Sequence, residues 1–201
     1  QTKPAPELLA EAAALLRKSK RPLLYLGGGC IASGAHEAAK AFAEKTRMAV
    51  TNTLLGKGAF PEQHELSVGM LGMHGTYEAN MAMHYCDVLL GIGVRFDDRV
   101  TNSDVNKFCP DATILHVDID PASISKTVAA DVPIVGSVTA VLEEMLSQIE
   151  DSKQEVDSQS LEVWWNQIEQ WREKDSLAVV PAEDGTIKPQ EVVQAIHEIT
   201  K

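Results

Sequence analysis

Residues 22–34 read Pro22-Leu23-Leu24-Tyr25-Leu26-Gly27-Gly28-Gly29-Cys30-Ile31-Ala32-Ser33-Gly34. An unbroken apolar run of strand length that empties into glycines is the mark of a parallel strand covered on both faces. The pattern repeats outward from it. An Ala/Leu/Glu-rich helix over Pro6–Lys18 precedes the strand, and a second helix over Ser33–Thr46 follows. Next come a strand over Met48–Thr51, a loop with Gly56, Gly58 and Pro61, a short strand near Leu66–Val68 and a helix over Thr76–His84. Strands over Asp87–Ile92, Thr113–Ile119 and Val132–Val135 complete the series, with a short helix from Pro121 and a long one over Thr139–Ile149. This alternation predicts an α/β fold: a three-layer, doubly wound, Rossmann-like parallel sheet of five to six strands. No internal repeat interrupts it.

The 201 residues carry a formal charge of −11, with 18 Lys+Arg against 29 Asp+Glu. That balance leaves no dense basic stripe for phosphate backbones, so no nucleic acid partner is expected. The longest apolar stretches, such as Val88–Val94, are far below the roughly 20 residues that cross a bilayer, so no membrane partner is expected, and an odd count of three cysteines makes a reducing, cytoplasmic location the expectation. Cys30, Cys86 and Cys109 lack disulfide or zinc spacing. Residues 143–175 contribute −7 of the net charge, and the polar segment Glu150–Ser158 reads as a linker. We therefore divide the chain into a 1–150 domain and a 151–201 acidic linker and helical connector. Beyond the linker, Leu161, Trp164, Trp165, Ile168 and Trp171 recur at helical spacing. That stripe either packs back on the domain or docks on another one.

Ligands on open parallel sheets bind at the carboxyl ends of the strands. Gly27-Gly28-Gly29-Cys30-Ile31-Ala32 fits G-x-G-x-x-A at such an end, where backbone N–H groups and a helix dipole can receive a diphosphate. The second strand ends in Thr51-Asn52-Thr53, without the carboxylate that holds a nicotinamide ribose, which counts against an NAD-dependent dehydrogenase. Gly91-Ile92-Gly93-Val94-Arg95-Phe96-Asp97-Asp98-Arg99 delivers two guanidinium forks and two carboxylates after a strand, suited either to a phosphorylated ligand or to loop salt bridges. His116-Val117-Asp118-Ile119-Asp120 places polar groups at alternate positions of a strand end. These are either metal ligands or, more plausibly, a carboxylate for ribose or adenine. Glycines around Met73-His74 bring a further backbone close to a flat ligand. No Ser-His-Asp or Cys-His nucleophile follows from spacing, and Cys30 reads as small filler.

Taken together, Gly27–Gly29, Thr53–Pro61, Leu71-Gly72-Met73-His74-Gly75, Gly93–Thr101 and His116–Pro121 resemble the central domain of the large catalytic subunit of acetolactate synthase (acetohydroxyacid synthase) across essentially the whole chain. Glyoxylate carboligase and pyruvate oxidase are the nearest alternatives, and Arg95-Phe96-Asp97-Asp98-Arg99 favours acetolactate synthase. The resemblance implies an enzyme using thiamine diphosphate, magnesium and FAD to decarboxylate pyruvate and join it to a second 2-keto acid in valine, leucine and isoleucine synthesis. FAD performs no net redox chemistry in that cycle.

By motif, the FAD-binding positions implied are Gly28, Gly29, Thr53, Leu54, Leu71, Gly72, Met73, His74, Gly93, Arg95, Asp97, Arg99, Val100, Asp118, Ile119 and Ser137. Arg99, Met73 and Asp98 would also face the substrate channel. Ser137 stands where the family often has Asp, and is a weaker, neutral acceptor. A Gly-Asp-Gly metal-diphosphate motif and the glutamate that activates thiamine are missing from these residues. The chain alone is accordingly expected to hold no catalytic residue, no metal and no activity. The implied partners are the enzyme's N- and C-terminal domains, a second subunit in a homodimer or larger assembly, and a small regulatory subunit.

Overall fold

The computed structural model describes residues 4–101, 105–150 and 158–200, except for the side chains of Asp98 and Arg99. Its elements in chain order are α1 (Pro6–Lys18), β1 (Pro22–Leu26), α2 (Gly28–Ala32), α3 (His36–Thr46), β2 (Ala49–Asn52), β3 (Ser67–Met70), α4 (Tyr77–Tyr85) and β4 (Val88–Ile92). They continue with α5 (Asp98–Thr101), β5 (Thr113–Asp118), β6 (Val132–Val135), α6 (Val138–Glu150), α7 (Ser158–Arg172) and α8 (Pro189–Ile199). The six strands form one sheet in the order β3-β2-β1-β4-β5-β6, with every pair parallel. The expected α/β architecture is thus present.

Burial explains the apolar runs. All five residues of β1 and of β4 are buried, because helices cover both faces. One face packs Leu24, Leu26, Leu90 and Ile92 against α1, α3 and α6 through Leu16, Phe42 and Met145. The other packs Leu23, Tyr25 and Leu89 against α4 and α7 through Met83, Trp164 and Ile168. The tryptophan helix α7 therefore turns its stripe onto this domain. Trp165 Nε1 donates to Arg47 O at 2.9 Å, and Arg172 donates to Glu65 O and Ser67 O at 3.0 and 2.5 Å, pinning the helix beside β2 and β3. Residues 151–157, on which the expected domain boundary falls, lie outside the described residues.

Two helices differ from expectation. The helix expected over Ser33–Thr46 begins only at His36, as α3, and a separate single turn, α2, precedes it, because Gly34 at φ +66 breaks the helical path between them. Pro121 starts a turn and not a helix: Asp120 accepts the Ala122 N–H at 2.9 Å and Ser125 sits at φ +59, so side chain and backbone both leave helical geometry. The helix α8 was not foreseen. Pro189 occupies its first turn, and the Glu191 carboxylate accepts the Lys188 N–H at 2.7 Å. None of its residues is buried. Among the described residues, no helix is long and apolar enough to cross a membrane.

Candidate functional site

The strand order reverses between β1 and β4, and a ligand crevice opens above the carboxyl ends at that point. A cleft of about 720 Å³ lies there. Its floor is almost pure backbone. Gly27 N–H donates to Ile92 O (3.0 Å), Gly29 N–H to Gly93 O (3.1 Å) and Gly93 N–H to Val117 O (2.8 Å), extending the parallel ladder past the strand ends. A Cβ on Gly27 would lie 2.0 Å from Gly93 O, and one on Gly29 2.7 Å from Gly93 Cα. Gly93 is at φ +59, where glycine is the natural occupant. The glycines thus serve close strand packing first. Their amides are largely committed, since Cys30 N–H also donates, to Gly27 O. The helix behind them has only five residues, so the expectation that free amides and a helix dipole receive a diphosphate finds little support.

Gly28 differs, its nearest neighbour being Leu55 Cβ at 3.2 Å. It faces the wall made by Thr53, Leu54 and Leu55. Thr53 N–H continues the ladder to Leu26 O, while its Oγ1 accepts the Gly56 N–H at 2.9 Å, folding the chain into a short 3-10 turn. Leu54 and Leu55 are left 71% and 69% exposed, apolar surface that only a ligand or a neighbour would cover.

The opposite wall is Gly93–Asp97 with Val100. Arg95 and Asp97 approach only to 3.9 Å, with side chains 71% and 51% exposed. Such a pair contributes about 0–1 kcal/mol, which leaves the Arg95 guanidinium available to an anion; the Asp98 and Arg99 side chains that the loop salt-bridge alternative also involves lie outside the described residues. Between them Phe96 turns inward at φ +48 and is buried. Asp118, half-buried at the end of β5, closes the cleft and accepts the Asp120 N–H at 2.9 Å.

Of the sequence-derived positions, Gly28, Gly29, Thr53, Leu54, Gly93, Arg95, Asp97, Val100 and Asp118 line this cleft. Leu71, Gly72, Met73 and His74 belong to the loop after β3, two strands from the cleft. Asn80 clamps that loop, accepting from Gly72 N–H at 3.2 Å and donating to Gly72 O and Thr76 O at 3.1 and 2.9 Å. Leu71 is buried, whereas Met73 and His74 are exposed at the tip. Ile119 is exposed just beyond β5, and Ser137 lies between β6 and α6. The side chains of Arg99 and Asp98 lie outside the described residues. All these loops share the carboxyl edge of the sheet. At about 4.8 Å per strand, the four intervals from β3 to β5 span about 19 Å, so a ligand touching both Met73 and Asp118 must be long and extended.

The metal alternative for His116, Asp118 and Asp120 does not survive. His116 is fully buried with Nε2 2.9 Å from Val94 O, and Asp120 is spent on its own turn. Among the described residues, no group of three or more His, Cys, Asp or Glu is arranged to hold a metal ion. Sequence reasoning missed Tyr25, Leu55, Phe96 and Ser123 as lining residues. Leu55 was within reach, as the second of an apolar pair after a strand end. Tyr25 was hidden in an otherwise aliphatic strand.

Residues 9–145 match the family described as thiamine pyrophosphate enzyme, central domain. The chain is 52% identical over 193 residues to the acetolactate synthase large subunit of Buchnera aphidicola subsp. Schizaphis graminum, covering 96% of this chain and 33% of that protein. It is 49% identical over 183 residues to the acetolactate synthase isozyme 3 large subunit of Escherichia coli K12 (91% and 32% covered). To the probable acetolactate synthase large subunit of Methanocaldococcus jannaschii it is 44% identical over 194 residues (96% and 32%). The chain thus spans about a third of the length of these relatives. With a doubly wound sheet, a cleft at its switch point and this match over most of its length, the chain belongs to the central-domain family of thiamine pyrophosphate enzymes.

Proposed function

We propose that this chain is the FAD-binding central domain of an acetolactate synthase large subunit. The observation that carries the reading is the cleft at the β1/β4 switch point, which shares the carboxyl edge of the sheet with a row of loops spanning about 19 Å, the reach of an extended, dinucleotide-sized ligand. The residues suit such a group. The bare floor at Gly28 and Gly29 admits close approach, Arg95 offers a cation for a diphosphate, and Asp118 offers an acceptor for ribose hydroxyls. Leu54, Leu55 and Val100 supply apolar contact for flat rings. When bound, FAD completes no net redox cycle in carboligation, so the work of these residues is to bind, orient and exclude water. Leu71, Gly72, Met73, His74, Arg99, Val100, Ile119 and Ser137 belong to the same proposed contact set, and Met73, Asp98 and Arg99 to the substrate channel.

The parent reaction, decarboxylation of pyruvate and condensation with a second 2-keto acid for branched-chain amino acid synthesis, then takes place on thiamine diphosphate and magnesium held by other domains. We place that enzyme in the cytoplasm as a homodimer or larger assembly with a small regulatory subunit. Residues 1–150 are the cofactor unit and 151–201 lead to the C-terminal domain. The test is direct. The purified chain, mixed with FAD and passed through gel filtration, should elute with flavin absorbance, and Arg95→Ala should weaken retention. A folded chain that carries no flavin, or that binds NAD in preference, overturns the reading.

A further inference from the structure

Just beneath the cleft, Thr51, Tyr25, Gly91 and His116 stand in register across β2, β1, β4 and β5. Gly91 has no side chain, and Phe96 occupies the vacated surface: a Cβ there would lie 2.8 Å from Phe96 Cζ. The Phe96 ring meets His116 edge to face, centroids 4.9 Å apart at 86°, and packs against Tyr25 at 5.9 Å and Phe108 at 5.8 Å. To do so Phe96 holds φ +48, a conformation that bulky residues avoid unless the surroundings impose it. One residue before Arg95, Val94 O receives the His116 Nε2 contact at 2.9 Å. A carbonyl can only accept, so Nε2 carries the proton. Nδ1 is buried without a partner, which leaves the ring neutral.

Val94 and Phe96 are therefore both held from below, while Arg95 between them stays exposed. We propose that His116 is a positioning residue: through Val94 O, and with Phe96 as second anchor, it fixes the turn of the Val94–Asp97 loop that presents Arg95 and Asp97 to the cleft. The inference rests on the flavin reading above and names a residue that the contact set does not contain. It acts through the loop and touches no ligand.

The test compares wild type, His116→Leu and His116→Gln by FAD titration followed through flavin fluorescence, with thermal unfolding in parallel. Leu keeps bulk and loses the donor; Gln retains an N–H able to reach Val94 O. The expected result is roughly tenfold weaker FAD binding for His116→Leu, the worth of one lost hydrogen bond, with His116→Gln within about threefold of wild type. A folded His116→Leu chain that binds FAD like wild type, or a His116→Gln chain as weak as His116→Leu, overturns the proposal. If either variant fails to fold, the ring nitrogens of wild-type His116 decide by NMR: a proton on Nε2 with Nδ1 bare supports the proposal, and a proton on Nδ1 overturns it. If wild type itself takes up no FAD, the flavin reading fails separately. The positioning role is then read from hydrogen exchange at the Phe96 and Asp97 amides, where at least tenfold acceleration in His116→Leu but not His116→Gln supports it and equal rates overturn it.

Discussion

Three adjacent glycines in the β1 turn should respond very differently to one added methyl group. In Gly27→Ala the new Cβ would fall 2.0 Å from Gly93 O and 2.7 Å from Gly93 C. Both are backbone atoms and cannot rotate aside, so the ends of β1 and β4 must separate by about 1 Å or more to reach the 3.0 Å that real Cβ atoms respect. That movement puts the Gly27 N–H to Ile92 O and Gly29 N–H to Gly93 O bonds at risk, each worth about 1 kcal/mol. Overpacking adds about 1–3 kcal/mol. The expected loss is about 3–5 kcal/mol, a large share of the roughly 5–15 kcal/mol that holds a domain together. Gly29→Ala, with Gly93 Cα at 2.7 Å, belongs to the same class. Gly28→Ala does not. Its neighbour is Leu55 Cβ at 3.2 Å, on an exposed turn that can yield, and alanine gains up to about 1 kcal/mol over glycine in a helix. Stability should change by less than about 1 kcal/mol, while binding of the proposed flavin should fall. Urea titrations followed by far-UV circular dichroism measure the three side by side. Equal losses for Gly27→Ala and Gly28→Ala would refute the claim that strand-end packing distinguishes these glycines.

Burial holds the His116 pKa below its usual value, opposed by the bond to Val94 O and by the Asp118 charge. The unfolded chain therefore protonates first, and this contribution to stability, complete above about pH 6.5, is lost as pH falls through the folded value. The Tm of wild type should drop between pH 8 and pH 5 more than that of His116→Gln, and parallel profiles would count against it. Burial also pushes the Cys30 and Cys109 thiols up to about 12 and raises Cys86 as well. A thiol reagent at pH 8 should label the native chain negligibly and all three cysteines after unfolding; one fast native thiol would be the contrary result. On α7, Ile168→Ala should cost about 2–5 kcal/mol and Trp165→Phe about 1 kcal/mol through its bond to Arg47 O, whereas Val163→Ala, on the exposed side, should cost almost nothing. Similar values for all three in urea titrations would mean that the helix is not docked on the sheet.

The sheet was readable where a strand is covered on both faces, as β1 and β4 are, because such burial leaves an uninterrupted apolar run. It was less readable at β3, where Gly69 at φ +85 and only four residues weaken the pattern. The turn at Pro121 defeated the helical reading because Asp120 competes for the local amides, a choice composition does not reveal. For α7 the spacing identified an apolar stripe but not its partner, since periodicity describes one surface and not the one opposite. Cleft positions such as Gly93 and Arg95 were legible because glycines and charges cluster at strand ends. The roles of Tyr25 and His116 were not, because they depend on cross-strand register that joins residues far apart in sequence.

Pro22 pairs with Val88 across the centre of the sheet, and that seam divides the molecule into two strand triplets. Gly28 and Thr53 come from one triplet, Arg95 and Asp118 from the other, so neither triplet alone owns a site. Closing so long a stretch of chain costs entropy before any contact repays it, and non-local parallel pairing is slow. Every group that lines the cleft from both sides therefore depends on this one strand pair staying joined. A ligand that spans it binds only the joined form and stabilises that form by mass action. Uptake of such a ligand would then report that the two triplets are joined.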